Sequence, residues 1–262
     1  RYAARWLVEA AIGADRDEFD AVLDEPVTDR MVAHLDAMVA RYRTGEPLAY
    51  VLGSWTFRHV DLAVDRRVLI PRPETELVAG VAIELAAAIG PTRLVADLGT
   101  GSGAIGLALA TELPLAGTTV WLTDASTDAL DVARANLAGI GRAAENVRIG
   151  HGEWFAALPD GARFDVIVSN PPYVADGSPD LAASVLEWEP AHALFAGPDG
   201  LDDIRQLVTG ARDRLADDGW LVLEIGHDQG AAVRELFEAA GYRDIEIRPD
   251  LAARDRIALA RR

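Results

Sequence analysis

From residue 92 to the C-terminus, short apolar runs recur between stretches of helical periodicity. "RLVADLG", "TVWLTD", "NVRIGHG", "FDVIVSN", "WLVLEIG", "DIEIRPD" and "RIALARR" read as strands, and helices separate most of them. Strands that alternate with helices predict an α/β fold: a doubly wound, mostly parallel, seven-stranded sheet covered on both faces.

The first third of the chain is patterned differently. Between Tyr2 and Tyr42 apolar residues fall at helical spacing, as in Met31, Leu35, Met38 and Tyr42, with Thr28 or Asp29 placed to cap the start. This predicts a small N-terminal helical domain over residues 1–50. In "TGEPLAYVLGSWTFRHVDLAV", Gly45, Pro47 and Gly53 suggest a turn. The alternation of Trp55, Phe57, Val60, Leu62 and Val64 then suggests a β-hairpin, so residues 51–72 read as a linker. Pro71 and Pro73 announce a helix from about Glu74 to Ile89, which opens the main domain over residues 73–262.

Composition narrows the chemistry. Half of the 262 residues are hydrophobic, enough for a substantial core. With no cysteine, thiolate nucleophiles, disulfides and zinc-cysteine sites are excluded; with no lysine, so are Schiff bases and a P-loop. The net charge of -17 repels phosphate backbones and favours a basic protein partner over nucleic acid. No apolar run approaches the roughly 20 residues of a membrane span, and the N-terminus carries acidic residues where a signal sequence is apolar. A soluble, cytoplasmic monomer is expected. His34, His59, His151, His192 and His227 show no metal-ligand spacing, so no metal is expected, and His151 beside a loop reads as structural.

Two loops carry the candidate chemistry. The first predicted strand runs through Asp97-Leu98-Gly99-Thr100-Gly101-Ser102-Gly103 into a helix, the place where open α/β sheets bind ligands. G-x-G-x-G is neither the dinucleotide fingerprint nor a P-loop. The second strand ends at Asp124, a carboxylate suited to ribose hydroxyls without saying which ribose. The fourth strand breaks abruptly into Ser169-Asn170-Pro171-Pro172-Tyr173-Val174. Asn and Pro are ordinary turn residues, so that string acquires meaning only beside the other two features.

Together and in this order, the glycine loop, Asp124 and Asn170-Pro171-Pro172-Tyr173 resemble the class I S-adenosylmethionine-dependent methyltransferases that act on amino groups, with their Rossmann-like sheet. "GEPLAYVLG", "VLIPRPETELV", "VLEWEPAHAL", "GPDGL", "LEIGHDQG" and "DLAARDRIALA" extend the resemblance over nearly the whole chain to the peptide chain release factor N5-glutamine methyltransferases, the HemK family.

That resemblance implies S-adenosylmethionine as cofactor. It puts Asp97, Gly99, Thr100, Gly101, Ser102 and Gly103 around it, Asp124 on its ribose, Trp154 beside its adenine, and Asn170 at the shared edge. Asn170, Pro171, Pro172 and Tyr173 are implied as the catalytic and substrate-binding motif, and a class I release factor as the protein partner, methylated on the glutamine of its Gly-Gly-Gln loop. Asn170 offers a side-chain carbonyl and Pro171 a backbone carbonyl to the two N–H bonds of a planar amide, while the prolines stiffen the loop. Glu153 and Ala253 depart from the family's usual Asp and Gly.

Glu187 and Glu189 are candidates for the substrate entrance, Arg41, Arg43 and Arg58 for partner contacts, and Glu224 and Gln229 for packing or capping roles. Three rivals stand beside the release-factor enzyme. One methylates a glutamine of a large-subunit ribosomal protein. Another methylates adenine N6 in DNA, against which stand the charge and the lack of a recognition domain. The last is a non-catalytic cofactor-binding module.

Overall fold

The computed structural model describes residues 2–14, 19–22, 24–179 and 181–262. The helical spacing expected over residues 15–18 and at 23 lies outside the described residues.

At the N-terminus α1 (Tyr2–Ile12), α2 (Asp29–Arg43) and α3 (Leu48–Leu52) form a small helical cluster around Leu7, Ala11, Met38 and Val51. Thr28 caps α2, its hydroxyl accepting from the Met31 amide at 3.3 Å. Of the expected stripe only Met38 is buried, and Tyr42 stays 42% exposed. Three short helices are too small a body to cover all of α2. The segment after Gly45 is more than a turn. Its α3 ends at left-handed Gly53, φ 74°, and joins the two cores, because Val51 belongs to the small cluster and Tyr50 to the large one.

A hairpin follows, β1 (Ser54–Phe57) and β2 (Val60–Ala63), with Phe57, Val60, Leu62 and Val64 buried as the alternation requires. Then come α4 (Pro73–Ala87), β3 (Arg93–Leu98), α5 (Ala104–Glu112), β4 (Thr118–Asp124), α6 (Thr127–Gly139), β5 (Val147–His151) and β6 (Phe164–Ser169). The chain finishes with α7 (Ala183–Trp188), α8 (Asp202–Ala211), β7 (Leu215–Glu224), α9 (Gly230–Ala239), β8 (Arg243–Pro249) and β9 (Asp255–Arg261).

The main sheet has seven strands in the order β5-β4-β3-β6-β7-β9-β8. β3 to β7 are parallel, and β9 enters antiparallel between β7 and β8. Successive residues face opposite layers. Val95, Val166, Val168, Val222 and Leu259 pack with α4 and α5, whereas Ala96, Ile167, Leu221, Leu223 and Ala258 pack with α8 and α9. β7 begins five residues before the predicted strand, and a register shift opposite Phe164 and Val166 interrupts its pairing with β6.

This topology reverses between β3 and β6: the chain winds outward from β3 through β4 to β5, then returns to β6 on the other side. Ligand crevices in open α/β sheets form at such a switch point. Leu98 pairs with Ser169, so the glycine loop and the Asn-Pro-Pro-Tyr loop leave the sheet side by side.

Candidate active site

Parity along β3 sends Asp97 toward α5. Its Oδ2 accepts from the Thr100 hydroxyl at 2.5 Å and the Gly106 amide at 2.8 Å, bending the chain into the helix. Glycine is required here for two separate reasons. Gly99, Gly101 and Gly103 have φ of 68°, 55° and 89°, and a Cβ on Gly106 would come within 2.5 Å of Leu122. Asp97 is 1% exposed, and burial pushes its carboxyl up to about 7.

Asp124 holds the loop from the next strand. One of its oxygens accepts from the Gly101 amide at 2.9 Å and the other from the Ser126 amide at 2.8 Å. Each carboxylate oxygen keeps a further lone pair for a ribose hydroxyl. Beyond β5, Trp154 takes a left-handed φ of 43°, which lays its ring against Gly99, where a Cβ would approach to 3.3 Å. Its indole donates to Asp203, a carboxyl raised mainly by burial.

These pieces enclose a cavity of about 300 Å³, at the lower end of small-molecule pockets. Asp97, Gly99, Thr100, Gly101, Ser102, Asp124, Trp154, Asn170 and Pro172 all line it. Gly103 lies behind, as the N-cap of α5; Pro171 is buried, and Tyr173 turns its hydroxyl away toward Glu224. Much of the remaining wall comes from Arg67, Val68, Leu69, Pro71, Thr75, Pro190, His192 and Ala193. The charged lining is mostly carboxylate: Asp97, Asp124, Glu153 and Asp203, against Arg67. Such a site opposes a pyrophosphate and suits a nucleoside that carries positive charge, so the residues present fit S-adenosylmethionine.

The second loop is held from behind. Asn170 Nδ2 donates to Thr75 Oγ1 at 3.2 Å, and the Thr75 hydroxyl donates to Glu224 Oε2 at 2.6 Å. The Tyr173 hydroxyl donates to Glu224 Oε1 at 3.0 Å and accepts from Arg256 at 3.4 Å. Gln229 Nε2 donates to the carbonyls of Tyr173 and Gly200 at 3.0 and 3.1 Å. Glu224 and Gln229, expected to pack or cap, thus brace the motif. Among the described residues, neither Asn170 Oδ1 nor the Pro171 carbonyl accepts a hydrogen bond.

The remaining candidate residues hold the fold or lie on its surface. Glu189 is 6% exposed and does not face an entrance: it pairs with Arg72 at 2.5 Å and accepts from the Ile70 amide at 3.1 Å, clamping one cavity wall. Glu187 is exposed. Arg41 is engaged by Glu46 and by the carbonyls of Tyr50 and Val51, and Arg58 by Glu112 at 2.6 and 2.7 Å and the Glu76 carbonyl. Both fasten elements together; Arg43 is exposed. His151 contacts the Ala125 carbonyl at 3.1 Å and does not line the cavity.

Sequence reasoning missed Asn136. Buried on α6, it accepts from the Ala63 amide at 2.7 Å and donates to the carbonyls of Ala63 and Ser102 at 3.0 and 2.8 Å, tying the hairpin to the glycine loop. The signal was an amide on the apolar face of a helix, in line with Ala129, Val132 and Ala133.

Comparison with known proteins agrees with this geometry. Residues 81–194 match the model of the methyltransferase small domain, and residues 1–53 that of the PrmC N-terminal domain. The chain is 44% identical to the release factor glutamine methyltransferase of Burkholderia pseudomallei, covering 97% of this chain and 89% of that protein. It is 45% identical to the enzyme of the same name from Pseudomonas aeruginosa, with the same coverage. A methyltransferase structure from Pyrococcus furiosus shares the fold, at a TM-score of 0.56 and 19% identity over 85% of this chain and 96% of that one. With its switch-point cavity, its acceptor loop and relatives this similar over nearly its full length, the chain belongs to the release factor glutamine methyltransferase family.

Proposed function

We propose that the protein methylates the side-chain amide nitrogen of the glutamine in the Gly-Gly-Gln loop of class I peptide chain release factors. Asp97, Gly99 to Gly103, Asp124 and Trp154 would hold S-adenosylmethionine. When bound, it supplies an electrophilic methyl group on a sulfonium sulfur.

The observation that carries this reading is the pair of acceptors at the end of β6. An amide nitrogen is a poor nucleophile, since its lone pair is delocalised into the carbonyl, so position matters more than activation. Asn170 Oδ1 and the Pro171 carbonyl each take one N–H of the incoming amide and hold its nitrogen toward the glycine loop. The buried Pro171 and the adjoining Pro172 keep those carbonyls from turning away. After transfer the nitrogen carries an extra proton and is strongly acidic. Water takes that proton without a dedicated base.

The net charge of -17 supports a protein substrate over a duplex. The test incubates the protein and labelled S-adenosylmethionine separately with a purified release factor, the large-subunit ribosomal protein and duplex DNA, followed by peptide mass mapping. The expected result is a methyl group on the Gly-Gly-Gln glutamine that is lost with Asn170→Ala. Label confined to the ribosomal protein or to adenine overturns the proposal.

A further inference from the structure

Resting on the amide-methylating activity proposed above, we propose that Thr75 and Glu224 are positioning residues: they decide that Asn170 presents its carbonyl, and not its NH2, to the substrate nitrogen.

An Asn side chain has a carbonyl at one end and an NH2 at the other, with nearly the same shape. Turned by half a rotation, Asn170 would offer donors to a substrate that is itself a donor. Proline can stiffen the loop backbone but cannot select between these two orientations, so something else must.

The selection follows from proton counting. Glu224 is 1% exposed, and as a carboxylate it only accepts. Thr75 Oγ1 lies 2.6 Å from Glu224 Oε2, which takes the single hydroxyl proton. The threonine oxygen is left with lone pairs alone on the side facing Asn170, at 3.2 Å. Only the NH2 end can meet it. The carbonyl end would set two acceptors against each other in a partly buried place.

The other carboxylate oxygen is occupied as well. Tyr173 donates to Glu224 Oε1, and Arg256 donates to the Tyr173 hydroxyl. Every proton in the chain of contacts therefore points toward Glu224, from Asn170 through Thr75 on one side and from Arg256 through Tyr173 on the other. Thr75 and Glu224 need not touch the reacting atoms to do this; they act through Asn170.

Three variants test the assignment: Thr75→Ser, which keeps the hydroxyl, Thr75→Val, which replaces it at nearly constant volume, and Glu224→Gln, which can donate to Thr75 and turn its proton toward Asn170. With a release factor as substrate, Thr75→Ser should stay within about 3-fold of wild type. Thr75→Val and Glu224→Gln should each lower kcat by roughly 10- to 100-fold, as expected for misaligned reactants, with the S-adenosylmethionine Kd from calorimetry and the thermal midpoint nearly unchanged. The double variant should be no worse than Thr75→Val alone.

A second measurement does not depend on the substrate. In 15N-labelled protein, the Asn170 side-chain NH2 signal, identified by its loss in Asn170→Ala, should show nuclear Overhauser contacts to the Thr75 methyl in wild type and to the β-methylene of the replacement side chain in Thr75→Ser. Absence of those contacts in the wild type, wild-type kcat in Thr75→Val, or equal losses in the serine and valine variants overturns the positioning role. A wild-type enzyme that shows the contacts but leaves the release factor unmethylated overturns the substrate proposal and not this one.

Discussion

Thr75 and Glu224 stand 149 residues apart in the chain, and their side chains meet at 2.6 Å. The contact joins the first turn of α4 to the end of β7, directly behind the loop that would grip the substrate. Everything facing this carboxylate bears on its charge. Burial raises the Glu224 pKa above the ordinary glutamate range, the hydrogen bonds from Thr75 and Tyr173 and the charge of Arg256 oppose that rise, and Glu74 adds to it.

A raised pKa means that Glu224 picks up a proton at a higher pH than a free glutamate does. Once protonated it must donate to one of its two partners, which reverses the direction of that hydrogen bond. With a release factor as substrate, kcat/KM should therefore fall as the pH drops, and the fall should begin above the pH expected of an ordinary glutamate. A pH profile checks this, and in Glu224→Gln that acid limb should be gone.

Asp97 makes a different pH prediction. Burial pushes its carboxyl up to about 7, so it is only partly ionised near neutral pH. A cationic ligand in the cavity favours the ionised form, so binding S-adenosylmethionine should release a fraction of a proton at pH 7. Calorimetry in buffers of different ionisation enthalpy measures that release. It should disappear in Asp97→Asn and shrink with S-adenosylhomocysteine, which lacks the sulfonium charge.

Asn136→Ala should destabilise the protein by about 2–4 kcal/mol, because the amide and carbonyl of Ala63 and the buried carbonyl of Ser102 lose the hydrogen bonds that Asn136 gives them. Urea denaturation gives the stability. The glycine loop loses a tether in the same variant, so its S-adenosylmethionine Kd should rise.

Ala253 has a φ of 59° in an exposed turn, with its amide bonded to the Asp250 carbonyl at 3.0 Å. A left-handed alanine is strained by its Cβ. Ala253→Gly should stabilise the fold by about 0.5–1 kcal/mol, less the extra freedom of Gly in the unfolded chain. The urea midpoint should move up and the methyl-transfer rate should not change.

Some of this was readable from the residues in order. The strand runs from "RLVADLG" to "RIALARR" all appear as strands: the central ones are largely apolar because both faces are covered, whereas the edge strand in "DIEIRPD" shows only alternation. Thr28 or Asp29 was marked as a cap by its place before a helical stripe, and Thr28 is the one that caps. Gly99, Gly101, Asp124 and Asn170 were legible because each sits at the end of an apolar run, where the sheet opens toward a ligand. The α3 helix was not legible in "PLAYVL", which is too short for periodicity to separate helix from turn. Arg41 and Arg58 looked like surface cations, since their carboxylate partners, Glu46 and Glu112, are chosen by packing.

Local order along the chain thus settled which segments are strands, which loops line the cavity, and what that cavity holds by way of acceptors and carboxylates. These depend on residue type and spacing, which a linear text contains. Tertiary structure alone decided the place of β9 between β7 and β8, the seat of Trp154 over Gly99, and the chain of contacts from Asn170 through Thr75 to Glu224. Those are properties of distance between residues remote in sequence. The direction of a hydrogen bond depends on which donor lies within about 3 Å of which acceptor, and only the folded sheet brings α4, β6 and β7 together at that range.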